Sequence, residues 1–328
     1  VKLLLKALAL LTALALLVAA TALFRLNQWW ESPNPLQHDV IITIAPGTST
    51  QAILAMLEEA ELTDSALFFR AQLALQQLGG TRPVWKAGEY LFAPGLSPAQ
   101  LSDKLARGDV VAHFVTIPEG LNSLEITAIL EADDRLSGDV PSIPEGSLLP
   151  DTWQIHRGDS RASVVERMRD AQQKLLAELW EAHDPALPYA SPHDAVIMAS
   201  VIEKETGIDG ERDHVAGVFV NRLRLNMPLQ SDPTVVYGIE KTEGPMKRAL
   251  YRSDWKRDHP WNTYTRSGLP QGPVCHPGRA ALEAAFHPKA TQDLYFVATG
   301  TGGHYFAETL AEHNRNIARY RAQRRSAP

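Results

Sequence analysis

Between Lys6 and Arg25 the chain runs through ALALLTALALLVAATALF, residues 7–24, without a charge or a proline. As a helix this stretch is about 27 Å long, close to the ~30 Å hydrocarbon core of a bilayer. It has to be withdrawn from water, so it constrains the rest of the chain to fold apart from it. Lys2 and Lys6 precede the run, and Arg25 and the pair Trp29-Trp30 come after it. Tryptophan favours the membrane–water boundary, and lysines before a span tend to stay in the cytoplasm. The small residues Val18-Ala19-Ala20 and Thr21-Ala22 would also suit a signal peptidase. The apolar run continues unbroken through them, so a retained span over 7–26 is expected, with 1–6 cytoplasmic and the body of the chain across the membrane. Residues 27–38, which include the proline-containing ESPNPLQH, read as a stem leaving the bilayer.

The chain beyond residue 38 must stand on its apolar core, because Cys275 is the single cysteine and no intrachain disulfide can form. With 328 residues, 45% of them hydrophobic, there is material for two folded domains. The net charge is −6, and only the last few residues are rich in arginine. That balance gives no electrostatic footprint for nucleic acid, and none is expected as a partner.

A local pattern then recurs three times: VIITIAPGTS (residues 40–49), EYLFAPGLS (89–97) and HFVTIPEGLNS (113–123). Each is an extended apolar run, a Pro- or Gly-containing turn, and a serine able to cap a helix. The spacing predicts helices over 50–59, 98–107 and 124–131, and one or two small strand-and-helix modules between about 38 and 118. Residues 120–159 are otherwise irregular, including PEGSLLPDTW (144–153). A helical period returns over 160–182. Further helices are expected over 211–225, around 279–285 and from near 309. The stretch 226–277 reads as loop-rich, DLYFVAT as a strand, and GTGGHYFAE as a glycine-rich turn.

The chemistry centres on SVIEKETG, residues 200–207. Ser191-Pro192 is a helix start and Thr206-Gly207 a stop. Setting Ile197 at zero and turning 100° per residue, Val201, Met198 and Ile202 define an apolar face on which Glu205 falls, at roughly 80°. Glu203 falls at roughly 240°, on the opposite side. Desolvation and the negative end of the helix dipole both raise the pKa of Glu205. Such a carboxyl suits a general acid, yet position alone also allows a frayed helix end accepting hydrogen bonds from the next loop.

EKETG, followed by ERDHVAGVFVNRLRLNMPLQSDPTVVYGI, NTYTRSGLPQGPVCHPG, AAFHPK and LYFVATGTGGHYFAETLAEHN, resembles the membrane-anchored endolytic murein transglycosylases, the MltG or YceG-like family, over nearly the whole chain. The resemblance implies an α+β fold: one N-terminal transmembrane helix, a small LysM-like β/α module over 39–118, and a mixed α+β catalytic domain over 119–328. It implies a lyase of the bacterial inner membrane, single-pass, with the catalytic domain in the periplasm. The activity implied is internal cleavage of the MurNAc–GlcNAc bond in nascent peptidoglycan strands, leaving 1,6-anhydro-MurNAc ends. In that family the second glutamate of EKET is catalytic, which corresponds to Glu205. The substrate-binding residues it suggests are Asn221, Gln230, Asp232, Asn262 and Tyr264. Ser147 stands where the family usually carries an aromatic residue. No cofactor is implied; partners would be glycan strands, penicillin-binding proteins and the division or elongation complex.

Two other functions remain open on the sequence: a muramidase using water, with Asp232 or Asp213 as second carboxylate, and a non-catalytic wall-binding scaffold. Asp232 could instead serve a turn before Pro233, Asn262 a loop cap, and Tyr237 a wall or core position. His276, His287, His304 and His313 lack a compact ligand spacing, so structural or substrate-edge roles are expected and no metal site. Cys275 has no base motif nearby and is not expected to be a nucleophile.

Overall fold

The computed structural model describes residues 2–34 and 36–326; Val1 of the expected N-terminal tail, Pro35 of the expected linker, and Ala327 and Pro328 lie outside them. The chain divides into two compact units, Val1–His113 with Gln154–Asp159, and Phe114–Trp153 with Ser160–Pro328.

The first unit contains α1 (Lys2–Glu31), β1 (Val40–Ile44), α2 (Thr50–Glu59), α3 (Ala66–Leu78), β2 (Gly88–Phe92) and α4 (Pro98–Arg107). Helix α1 is long and apolar enough to cross a membrane. Its final turn enters the unit's core, where Trp30 packs with Leu54, Leu57, Phe69, Tyr90 and Phe92. Strands β1 and β2 pair antiparallel, with Val40 opposite Phe92 and Ile44 opposite Gly88. Side-chain alternation turns Ile42 and Ile44 inward and leaves Ile41 exposed. Gly88 holds φ at +145°, and a Cβ there would stand 2.3 Å from Val110 Cγ1, so only glycine fits.

Helix starts obey local chemistry. The Ser49 hydroxyl accepts from Ala52 N–H, and Ser97 forms a capping box with Gln100 ahead of Pro98. Gly108 stops α4 in the left-handed region at φ +73°. Residues 154–159 join this unit through Arg157, whose Nε donates to Glu89 at 3.2 Å. His113 also bonds Glu89, and that bond is the largest of the influences that hold its carboxyl below the usual range.

The chain passes between the units within β3 (His113–Thr116) and β4 (Thr152–Ile155). The second unit continues with α5 (Ser123–Ala132), α6 (Arg161–Glu181), α7 (Pro192–Glu205), α8 (Arg212–Arg224), α9 (Asp232–Glu243), α10 (Arg252–Lys256) and α11 (Arg279–Phe286); β5 (Tyr295–Ala298), β6 (His304–Ala307) and α12 (Leu310–Ser326) complete it. α5 and β4 fall before α6 in chain order. Helix α7 is the axis of this unit, packed against α6, α8, α9 and α11, and Ala195–Ile202 are all buried. The α+β class with one apolar N-terminal helix is therefore observed.

Three sequence expectations differ from the structure. The loop-rich stretch 226–277 contains α9 and α10, because Ser231-Asp232-Pro233 starts a helix that carries Val235, Tyr237 and Ile239 into the core. The glycine-rich GTGGHYFAE turns a hairpin: Gly300, Gly302 and Gly303 have positive φ, and β6 returns along β5 with His304 opposite Ala298. Helix α3, started by the Ser65 cap, has no counterpart among the expected helices.

Candidate active site

Glu205 is the last residue of α7, which stops where Thr206 takes an extended conformation. It meets the start of α9. Ser231 occupies the N-cap position there, but its hydroxyl makes no cap bond. It donates instead to Glu205 Oε2 at 2.9 Å. A serine at this position would ordinarily satisfy a free backbone N–H of the first helical turn. Its orientation is fixed by a small threonine cluster. Ser231 N–H donates to Thr263 Oγ1 at 3.0 Å, Thr263 and Thr234 hydroxyls lie 2.9 Å apart, and Thr234 Oγ1 donates to the Ser231 carbonyl at 2.6 Å. Gln230 makes the turn at φ +53°, its N–H donating to Thr263 O at 3.1 Å.

Burial raises the pKa of Glu205 above the usual carboxylate value, and the neighbouring Asp232 pushes the same way. The Ser231 hydrogen bond, His304 and Arg222 oppose that push. Arg222 is buried and fixed by donating Nε to Leu294 O at 2.6 Å and Nη1 to Leu229 O at 2.7 Å. Its own pKa is lowered by burial. His304 is held through Nδ1, 2.7 Å from Glu211 Oε2, while its N–H donates to Glu211 Oε1 at 3.0 Å. Because Oε2 already accepts from Ser231, the proton of the acid form of Glu205 falls on Oε1.

Asp232 Oδ1 accepts from Tyr264 Oη at 2.6 Å and from Trp255 Nε1 at 2.9 Å. Burial and this carboxylate together raise the Tyr264 pKa. The carboxylate of Asp232 is therefore bound on one oxygen and exposed to a cavity of about 590 Å³. Lys204, Asn122, Tyr237 and Trp255 also line that cavity. A larger one, about 890 Å³, is lined by Asn221, Arg224, Lys289 and Thr291 and by none of Glu205, Ser231, Asp232 or Tyr264.

The predicted site residues thus separate. Glu205, Asp232 and Tyr264 come together, and Gln230 sits exposed at the turn before Ser231. Asn262 is fully buried: its Nδ2 donates to the carbonyls of Trp255 and Arg257, and its Oδ1 accepts from Tyr264 N–H. It organises the loop that carries Trp255 and Tyr264. Asn221 braces the segment before β5, donating to Thr291 O and Asp293 O. Among the described residues, no three His, Cys, Asp or Glu side chains converge as a metal-binding group.

Glu203, placed by the helical period opposite the apolar face, is nonetheless withdrawn from water. Helix α7 is enclosed on nearly every side, and burial raises the pKa of Glu203 too. Its Oε2 accepts from Gly278 N–H at 3.0 Å, and Arg212 lies 3.8 Å from its other oxygen. Both glutamates are largely withdrawn from water, and what separates them is their partners: Glu203 is tied to Gly278 and Arg212, Glu205 to Ser231.

Sequence reasoning passes over Ser231, Arg222 and Glu145. Glu145 accepts from Tyr237 Oη at 3.1 Å and Ser123 N–H at 3.2 Å, with its pKa raised by burial. His276 Nε2 stands 3.4 Å from it. Burial pushes His276 down to about 4, so the ring is neutral near pH 7. Leu148 N–H donates to Nδ1 at 3.1 Å, which places the single ring proton on Nε2, facing Glu145 and Ser123 Oγ. This network holds the 120–123 loop at the cavity wall, where Gly120 N–H donates to His276 O and His276 N–H to Leu121 O. The repeated PEG at 118–120 and 144–146 is its visible trace in the sequence.

The sequence model of the YceG-like family matches residues 42–319. The endolytic murein transglycosylase of Bacillus subtilis (strain 168) is 30% identical over 323 residues, covering 88% of this chain and 87% of that protein. That of Streptococcus pneumoniae (strain D39) is 27% identical over 86% of this chain, which spans 58% of the streptococcal protein. Among solved structures, a YceG-like protein of Listeria monocytogenes aligns with TM-score 0.52 and 29% identity, over 85% of this chain and 99% of that one. By the extent of these matches, the chain belongs to the YceG-like family.

Proposed function

We propose that this protein is an endolytic lytic transglycosylase of peptidoglycan, the activity named for its relatives in Bacillus and Streptococcus. The observation that carries the reading is the Glu205 carboxyl, desolvated beside Asp232, with one oxygen bonded by Ser231 and the other available to hold a proton. Glu205 donates that proton from Oε1 to the oxygen between MurNAc and GlcNAc, and the C1–O bond breaks. The carboxylate left behind is stabilised by Ser231, Arg222 and His304, and removes the proton of the muramic acid C6 hydroxyl. O6 closes on C1, giving a 1,6-anhydro end and returning Glu205 to its acid form. Water does not react, so one carboxyl serves both steps. Asp232, steadied by Tyr264 and Trp255, supplies negative potential for the positive charge that develops near C1.

A muramidase would need Asp232 as a free base or nucleophile. Two hydrogen bonds to Oδ1 favour the electrostatic role instead. The first unit, a two-stranded sheet with packed helices, is read as the LysM-like module, and α1 as a single-pass anchor in the inner membrane with the body periplasmic. Peptidoglycan synthases and the division or elongation complex are the partners this location suggests.

The experiment is digestion of purified glycan strands by wild type, Glu205→Gln and Glu203→Gln. Loss of turnover in Glu205→Gln with unchanged circular dichroism supports the assignment; digestion at the wild-type rate removes it. Glu203→Gln is expected to retain turnover, because that carboxyl is tied to Gly278 N–H and Arg212 rather than to Ser231 and Asp232.

A further inference from the structure

Helix α3 is built the wrong way round for a helix on a water-soluble module. With Leu67 at zero and 100° per residue, Ala74, Leu78, Ala71, Leu75 and Phe68 all fall within an arc roughly 120° wide, and no polar residue shares it. Ordinary amphipathic patterning buries such a stripe. Here each of the six residues is exposed: Leu78 keeps 86% of its surface, Leu67 72%, Phe68 45% and Leu75 40%. The core is served from the opposite side by Phe69 and Leu73. Arg70 flanks the apolar arc and is itself exposed.

The place of this face relative to α1 says what covers it. The indole Nε1 of Trp29 donates to Asp64 Oδ1 at 2.6 Å, just before α3. The same ring packs edge-on against Phe68, with centroids 5.6 Å apart, and Trp30 is locked on Phe69 at 5.0 Å. Trp29 lies five residues beyond the end of the apolar run at Phe24, a rise of about 7.5 Å. That matches the headgroup layer, where tryptophan concentrates. Phe68 belongs to the exposed face and touches Trp29, so the face begins at the level of the membrane surface.

We infer that the apolar face of α3 docks on the lipid bilayer that α1 spans, lying in the interface with Leu67, Phe68, Leu75 and Leu78 toward the acyl chains. Arg70 reaches lipid phosphate from the flank, as cationic residues do beside interfacial helices. The inference rests on the reading of α1 as a membrane anchor. The module is thereby held against the membrane at two points, the span and this helix, which limits its tilt more than a single span does.

The test uses the full chain in nanodiscs of phosphatidylethanolamine and phosphatidylglycerol. Single cysteines at Leu17, Leu78 and Gln51 carry an environment-sensitive fluorophore; the native Cys275 is buried, and labelling of the parent protein checks that it stays unmodified. Quenching is read with spin-labelled lipid and with aqueous iodide. Leu17→Cys reports the anchor. Leu78→Cys is expected to be quenched by lipid several-fold more than Gln51→Cys, an exposed position in the first turn of α2, and to be shielded from iodide. If Leu17→Cys is lipid-quenched while Leu78→Cys behaves like Gln51→Cys, the docking is wrong and the anchor stands. If Leu17→Cys is not lipid-quenched, the anchor reading fails and the docking with it. Shielding of Leu78→Cys from both quenchers means protein, such as a second copy, covers the face, and this also overturns the proposal. Repeating the measurement at Leu75 guards against a local effect of the label.

Discussion

Ser231→Ala isolates the hydroxyl's bond to Glu205, the carboxyl proposed as general acid. The hydroxyl is turned away from its N-cap duty, so its removal sacrifices no cap bond. Ser231 N–H still holds Thr263, and Thr234 still holds the Ser231 carbonyl. The loss is one hydrogen bond to Glu205 Oε2, 2.9 Å long, made to a group that alternates between acid and carboxylate. A bond of this kind is worth about 1.5 kcal/mol or more to the charged form, roughly a tenfold shift in the protonation balance. The donor sets the sign: Ser231 stabilises the carboxylate and opposes the upward push of burial, so without it Glu205 keeps its proton to higher pH. Activity that needs the protonated acid is lost as pH rises through the Glu205 pKa. The basic limb of the pH–rate profile should therefore move upward in Ser231→Ala, while peak turnover falls because the carboxylate formed in the first step is less well held. Glycan-strand turnover across pH, with the variant's fold checked by thermal melting, measures both. A basic limb that stays in place, or moves downward, would show that Glu205 is not the group whose proton limits the reaction.

The same carboxyl sets a stability trend: its pKa lies above the ordinary value of 4.5, so folding loses stability as pH rises from there toward the native pKa and levels off above it. Glu205→Gln carries no such penalty, and its melting temperature relative to wild type should climb across that window; a difference independent of pH would contradict the burial argument. Gly217 in α8 packs so closely that a Cβ would stand 2.4 Å from the Lys289 carbonyl, in a segment pinned by Lys289 N–H donating to Asp213 O. Gly217→Ala should cost about 1–3 kcal/mol, read in chemical denaturation; an unchanged midpoint would mean the segment before β5 yields freely.

The features legible in the sequence are local ones. Ser49, Ser97 and Ser191 with Pro192 announce helix starts because a cap is chemistry within four residues. Helix α9 carries a comparable start at Ser231-Asp232-Pro233, but the density of Pro, Gly and Asn around it obscures the signal. The helical-face argument separates Glu205 from Glu203 on a premise the fold replaces, since α7 is enclosed nearly all round and both carboxyls are desolvated. Their difference lies in partners far along the chain. Glu203 is bonded by Gly278, 75 residues away, and Glu205 by Ser231, 26 residues away. Asn221 and Asn262 illustrate the same limit: residue type suits sugar recognition, but each amide is committed to backbone carbonyls that only the folded chain brings near. The exposed stripe of α3 is present in the sequence as a period of apolar residues, yet which side of the helix faces out is decided by Trp30 occupying the core beside Phe69.

The mass of the reaction products tests the central claim most directly. Defined glycan strands digested by the wild-type protein should yield internal fragments ending in 1,6-anhydro-MurNAc, lighter by one water than hydrolysis products, with no incorporation of heavy-oxygen water. Fragments with reducing MurNAc ends carrying the solvent's oxygen would contradict it, and would make this a hydrolase that recruits a second carboxylate.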